Sequence, residues 1–231
     1  AIIAIGYFGT YLKNEQINVW RYSKTEALHL LKYAWPLTFS ALLVSIYMKI
    51  DQLMIPFYRS INELGIYGTV ANLSESWYFF PTAIVASVFP SIMYARSTDK
   101  VRYQKRLQNL YDLMVITSVS IALIITFTSD LIYRLAFHNH PEYWPGAPVL
   151  SVHIWAGLFV FLGSASGQYL IAEGYNKLIL IKTAAGAIAN VLLNIIWIPR
   201  FGIMGAAYST LVAYALSTFF IILVPQTRRQ G

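Results

Sequence analysis

Apolar residues run along this chain in six blocks long enough to cross a bilayer, at 35–58, 65–94, 110–136, 147–172, 178–198 and 203–224. A helix rises ~1.5 Å per residue and the hydrocarbon core is ~30 Å thick, so about 20 residues suffice for one crossing. Short joints, polar or containing Gly and Pro, separate the blocks. A seventh apolar stretch, AIIAIGYFGTYL at 1–12, makes only ~18 Å of helix, too short to cross. It starts at Ala1 and lacks the basic head and cleavage site of a signal peptide, so it reads as the tail of a helix cut upstream. Residues 13–34 are mixed and polar. Ser23 and Glu26 fit a capping box, and Ala27, Leu30, Leu31 and Ala34 recur at helical spacing. That pattern predicts a short interfacial helix with basic flanks, lying before Pro36 opens the first full span. The expected architecture is all-α: a polytopic transmembrane helix bundle of six full spans plus a truncated one. Its parts are the tail 1–12, a linker helix 13–34, a six-helix lobe 35–224 and a polar tail 225–231.

Composition agrees. Hydrophobic residues make up 57% of the 231 and charged residues 12%, against about a quarter charged in soluble domains. The net charge of +7 need not mean a nucleic-acid partner, and none is expected. Lys and Arg are distributed unevenly among the joints. Lys13, Arg21, Lys24, Lys32, Arg96, Lys100, Arg102, Lys105, Arg106, Lys177, Lys182, Arg228 and Arg229 fall on one side, and Arg59, Arg134 and Arg200 on the other. The positive-inside rule makes the first side, and the C-terminus, cytoplasmic. Tyr143 and Trp144 would then sit in the outer aromatic belt, and Tyr33 and Trp35 in the inner one. The 65–94 block contains Pro81 and Pro90, which predicts either a kink or break near Pro81 or a tilted helix that tolerates it.

The chemistry lies in charges inside the spans. Lys49, Asp51 and Gln52 interrupt the first span and Glu75 the second. A charge there costs at least ~2.5 kcal/mol on insertion scales unless it faces protein, water or a partner. Lys49 lies nine residues before Tyr58 and Glu75 ten after Gly65, roughly 14 and 15 Å below the same surface. The short joint 59–64 makes the two helices antiparallel neighbours, so the opposite charges can meet at one level. Thr38, Ser45, Lys49 and Gln52 share one stripe, and Asn72, Glu75 and Thr82 share another. Asp51 points elsewhere and needs its own partner or water. The pair either lines a functional cavity or is a structural ion pair, with snorkelling of Lys49 as a third option.

Other polar positions are weaker signals. His153, one turn inside the fourth span, is either an ion-coupling group or a hydrogen-bonded packing residue. Thr183, Ala187, Asn190 and Asn194 form a small, polar stripe that either glues helices or lines the cavity. Gly163 and Gly167 make a GxxxG step suited to close helix contact. His138, His140 and Glu142 lack a third strong ligand at fixed spacing, so no metal is expected. Asp130 and Arg134 are an i,i+4 pair. There is no cysteine, GxSxG, HExxH, P-loop or dinucleotide fingerprint, so neither an enzyme nor a cofactor is expected.

YMKIDQLMI, GIYGTVANLSESWYFFP and above all NVLLNIIWIPRFGIMGAAYSTLVAY (Asn190–Tyr214) resemble polysaccharide flippases, the O-antigen (Wzx-type) branch of the multidrug/oligosaccharidyl-lipid/polysaccharide (MOP) superfamily. The resemblance covers most of 20–224 and fits the C-terminal lobe of a two-lobed, V-shaped transporter, the N-terminal lobe being absent. It implies alternating access and translocation of an undecaprenyl-diphosphate-linked oligosaccharide, an O-antigen or other polysaccharide repeat unit, across a bacterial inner membrane. Its implied partners are that lipid-linked oligosaccharide, membrane lipid, a proton or Na⁺, and other polysaccharide-assembly proteins. The cavity residues would be Lys49, Asp51, Gln52, Asn72, Glu75, Asn190 and Asn194, with Glu75, Asp51 and His153 as ion-coupling candidates. Lys49 would suit the anionic head group. A multidrug or cation antiporter of the same superfamily, a membrane-embedded polysaccharide polymerase or ligase, and a non-transporting scaffold are the competing readings.

Overall fold

A computed structural model describes residues 23–223. The expected tail 1–12, residues 13–22 of the linker and the tail 225–231 lie outside the described residues, as do Lys13, Arg21, Arg228 and Arg229. The chain divides into two units at Trp35/Pro36. In the first, Ser23 accepts from the Glu26 amide at 3.3 Å, so the expected N-cap forms. The separate interfacial helix does not: α1, Lys24–Tyr47, continues through Pro36. Proline at that point removes one backbone donor without ending the helix.

From Pro36 onward the described residues are helical, with no strand. After α1 come α2 (Ile50–Tyr58), α3 (Ile61–Glu75), α4 (Phe79–Thr98), α5 (Lys100–Ala136), α6 (Gly146–His153), α7 (Ala156–Ala172), α8 (Asn176–Phe201) and α9 (Ile203–Phe219). Five stretches, counting α1–α2, α3–α4 and α6–α7 as single broken spans, are long and apolar enough to cross a membrane, and α9 is a shorter apolar helix. This is the multi-span all-α bundle that the apolar blocks predict.

Three spans are broken part-way, at Met48–Lys49, Ser76–Tyr78 and Ile154–Trp155. Each break is tightened by i→i−3 bonds: Lys49 N to Ile46 O, Tyr78 N to Glu75 O, and Trp155 N to Val152 O, at 3.0, 2.9 and 3.2 Å. The second lies one turn before Pro81, because proline crowds the carbonyl four residues earlier, that of Trp77. The break expected near Pro81 is therefore present. The same breaks separate two hydrophobic cores. One gathers Ile55, Tyr67, Val70, Tyr133, Leu150, Ile198 and Ala206. The other gathers Val85, Ile92, Leu110, Met114 and Phe161.

Short joints at one end of the bundle are brought together by side chains. Arg59 pairs with Glu63 at 3.7 Å, and both reach the Gly202 corner between α8 and α9. Tyr143 lies against Gly65. Gly202 has φ +61°, a conformation that favours glycine, so α8 can turn directly into α9. At the opposite end Arg96 and Tyr103 both bond Glu173. Helices α8 and α9 approach each other closely. A Cβ at Gly205 would overlap the Trp197 carbonyl oxygen, and one at Gly186 would lie 2.7 Å from Ser217 Cβ. The GxxxG step at Gly163 and Gly167 does not make such a contact: a Cβ at Gly167 would meet nothing within 4 Å.

Candidate functional site

The break in the first span places Lys49 as the N-cap of α2, and the break in the second makes Glu75 the last residue of α3. The joint between α2 and α3 is short because Ser60 accepts from the Glu63 amide at 3.2 Å, a capping-box start that turns α3 back against α2. The two breaks then face each other, and Lys49 Nζ donates to Glu75 Oε2 at 2.9 Å. The two charges that the matched depth brings together are paired. Their side chains are 49% and 19% exposed, so the pair opens onto the surface of the lobe while Glu75 is the more enclosed partner. Thr38, Ser45 and Asn72 are exposed and Gln52 half-buried, so both polar stripes open outward.

Asp51 turns the other way. It is 3% exposed, so it does not line an opening as expected of a cavity residue. Its carboxylate accepts from the Gln52 amide at 2.8 Å, which satisfies an orphan donor in the first turn of α2 and suits the positive end of that helix. It also accepts from the Tyr67 hydroxyl, and from Thr210 Oγ1 at 3.4 Å. The His153 ring meets Tyr67 edge-on at 5.8 Å between centroids, and its Nδ1 has no hydrogen-bond partner. A second polar group, made of Asp51, Tyr67, Thr210 and His153, is therefore sealed between α2, α3, α6 and α9. A small cleft lies along the breaks of α3–α4 and α6–α7, lined by Ser74, Trp77, Tyr78 and Ser118 among others.

Asn190 and Asn194 are fully buried, and Asn194 Nδ2 donates to Asn190 Oδ1 at 3.1 Å. They belong to the inner stripe of α8, with Thr183 and Ala187, rather than to an open cavity. Thr183 bonds Ser40 of α1 at 3.1 Å.

Two features escape a reading of the sequence. Tyr67 and Thr210 as partners of Asp51 follow only from the packing of α3 and α9 against α2. Lys182 is the other. The charge pattern places it with the basic joints, but it is 6% exposed and donates to Ser166 Oγ of α7 at 3.2 Å. Its position two turns inside α8, rather than at a joint, was the available signal.

In the loop before α6, His140 Nδ1 lies 2.9 Å from Glu142 Oε1. The Glu142 carboxyl is held below its ordinary value by its own backbone amide and then by His140. No cluster of three or more His, Cys, Asp or Glu occurs among the described residues.

A family model described as polysaccharide biosynthesis protein matches residues 3–140, more than half of the chain. The chain belongs to this polysaccharide biosynthesis protein family. The chain is similar to "Probable flippase AglR" of Haloferax volcanii, 26% identical over 231 residues, 95% of this chain and 46% of that protein. It is also similar to "Probable low-salt glycan biosynthesis flippase Agl15" of the same organism, 23% identical over 74% of this chain and 36% of that protein. "Uncharacterized membrane protein MJ1068" of Methanocaldococcus jannaschii is 25% identical over 75% of this chain and 34% of its own length. This family member thus spans about half or less of the curated relatives it matches. Its fold is similar to that of an outward-facing multidrug resistance MATE family transporter of the MOP superfamily. The TM-score is 0.66 at 20% identity, over 83% of this chain and 43% of that one. The resemblance read from the three quoted stretches is borne out as far as a partial flippase of the MOP type: this is a multi-pass membrane protein with the fold of one lobe of a MOP transporter.

Proposed function

We propose that this lobe is half of a flippase that moves a lipid-linked oligosaccharide across the plasma membrane by alternating access, without catalysis of its own. The carrier implied by the likeness to O-antigen flippases is undecaprenyl diphosphate, in a bacterial inner membrane; the relatives named as flippases are archaeal and support the broader class. The basic end of the bundle would face the cytoplasm, together with the C-terminus.

The observation that carries the reading is the Lys49–Glu75 pair at two facing helix breaks, on a side of the lobe that is open rather than packed. Interrupted helices near the mid-membrane recur at transporter substrate sites. Lys49, Gln52, Asn72 and Glu75 offer an ammonium, two amides and a carboxylate along one opening. That set suits a diphosphate and sugar hydroxyls, and an apolar drug would leave its two amides without a partner in the ligand. Glu75 and the sealed Asp51, with His153 behind Tyr67, are the groups proposed to couple a proton or Na⁺ to the movement. Asn190 and Asn194 would act by fixing α8 rather than by touching substrate.

The test is Lys49→Ala in the complete protein, scored as surface glycan in cells that depend on it. Loss of surface glycan at normal protein level, with lipid-linked intermediate accumulating, is the expected outcome. Wild-type glycan at normal protein level removes Lys49 from the mechanism.

A further inference from the structure

The end of the bundle that holds the α4–α5 and α7–α8 junctions carries more positive charge than its own carboxylates can balance. Arg96 donates to both carboxylate oxygens of Glu173, at 2.9 and 3.0 Å, and the Tyr103 hydroxyl adds a third bond at 3.2 Å. Asp99 caps α5 through the Arg102 amide at 3.0 Å and lies 3.9 Å from the Arg102 guanidinium. Both acids are thereby committed. Lys100, Lys105 and Lys177 are exposed and have no carboxylate within 4 Å among the described residues. Arg106 donates to the Ser91 carbonyl at 2.5 Å and is likewise without a carboxylate.

The height of this patch follows from the length of α5. Its 37 residues, Lys100–Ala136, make a rod of roughly 55 Å. A bilayer with its headgroups is ~40–45 Å thick, and spans tilt by at most ~40°. Even at that tilt the helix covers about 42 Å along the normal, so its first turns lie at the phosphate layer or beyond it. Tyr94 and Val101, 67% and 76% exposed, flank the cations with apolar surface, as suits an interface between headgroups and acyl chains.

We propose that Lys100, Lys105 and Lys177, with Arg102 and Arg106, form a docking surface for the phosphates of anionic membrane lipids. The Arg96–Glu173–Tyr103 clasp holds the ends of α4, α5 and α7 together beneath it. The lysines are point charges spread over two helix starts rather than a fork around one group, so they suit a layer of headgroups better than a single captured anion. This inference does not depend on what the protein transports.

The experiment uses the complete protein, reconstituted in vesicles of phosphatidylcholine and phosphatidylglycerol at 3:1 and re-extracted, with retained lipid quantified by mass spectrometry. Enrichment of phosphatidylglycerol is expected for the wild type. Each lysine near an anionic surface contributes roughly a fivefold factor, so K100Q/K105Q/K177Q should lose most of the enrichment. The triple arginine variant should keep it, and R200Q, at the other end, should leave it unchanged. Undiminished enrichment in the glutamine variant overturns the proposal. So does displacement of the lipid by inorganic pyrophosphate at equal concentration, which would make this a site for a free anion.

Discussion

The Lys49–Glu75 pair can be tested by a double-mutant cycle whose size follows from its burial. An exposed ion pair contributes ~0.2–1 kcal/mol, and removing one member of a buried pair costs ~3–5 kcal/mol. At 2.9 Å, with Lys49 half exposed and Glu75 four-fifths enclosed, this pair lies between those limits. We expect Lys49→Met to destabilise by about 2 kcal/mol, because it strands the Glu75 carboxylate in a partly closed site. Glu75→Gln should cost less, since Lys49 can extend its stem toward water. The double variant should recover about 1–2 kcal/mol relative to the sum.

Thermal unfolding in detergent reads this directly. For a chain of this size ~1 kcal/mol corresponds to ~2–4 °C, so the coupling should appear as a few degrees. The charge swap Lys49→Glu with Glu75→Lys separates stability from transport. It should restore much of the melting temperature yet leave surface glycan low, because the cation then sits on the wrong helix. Additivity within about 0.5 kcal/mol would refute the coupling. A swap with full transport would refute a placed cation.

Other substitutions test the packing and the buried polar groups. Gly205→Ala should destabilise by about 1–3 kcal/mol or block folding, because its methyl group overlaps the Trp197 carbonyl, whereas Gly167→Ala should shift the melting temperature little. Lys182→Met should fold with stability within about 1 kcal/mol of wild type, since an apolar chain replaces a buried ammonium held by one hydroxyl, while Lys182→Glu should lower the amount of folded protein sharply. Asp51→Ala should cost about 1–3 kcal/mol through the orphaned Tyr67 hydroxyl and α2 amide, and Tyr67→Phe with it should recover part of that loss. In the Pro141–Tyr143 loop the depressed Glu142 carboxyl stabilises the contact with His140 above its ordinary 4.5. That contact should be lost as pH falls through the lower folded value, read as faster hydrogen exchange of the loop; unchanged exchange would count against it.

The spans were legible because the bilayer constrains length and apolarity together, and both are written locally. Two elements were not. Pro36 looks like a helix start, but α1 continues through it, as spans can where neighbouring groups satisfy the backbone that a proline frees. Lys182 looks like a joint charge because charge is counted by side; its place two turns inside α8 hints otherwise, and packing against α7 shows what it meets. The GxxxG step failed for a related reason. Close approach depends on which face meets the neighbour: Gly186 and Gly205 are pressed against each other's helices, whereas a Cβ at Gly163 would meet Thr218 only at 3.8 Å and one at Gly167 would meet nothing within 4 Å.

The site divides along the same line. Lys49 and Glu75 could be paired from sequence because a six-residue joint fixes antiparallel neighbours and depth fixes register. Asp51 is two residues from Lys49, so its side chain must leave the stripe, and the sequence carries that much. What it meets is set by α9, 159 positions away, and by Tyr67 and His153. The outcome has a mechanical consequence. The open pair and the sealed Asp51 hang from one helix start, with Lys49 as its N-cap and Asp51 in its first turn. A group that drew Lys49 from Glu75 would also load the turn that Asp51 caps, and a cation that took Asp51 from Tyr67 would loosen the seat of Lys49. Under the proposed function, binding at the opening and a cation at Asp51 would be tied through a single turn of backbone, and by linkage each would shift the other to the same extent.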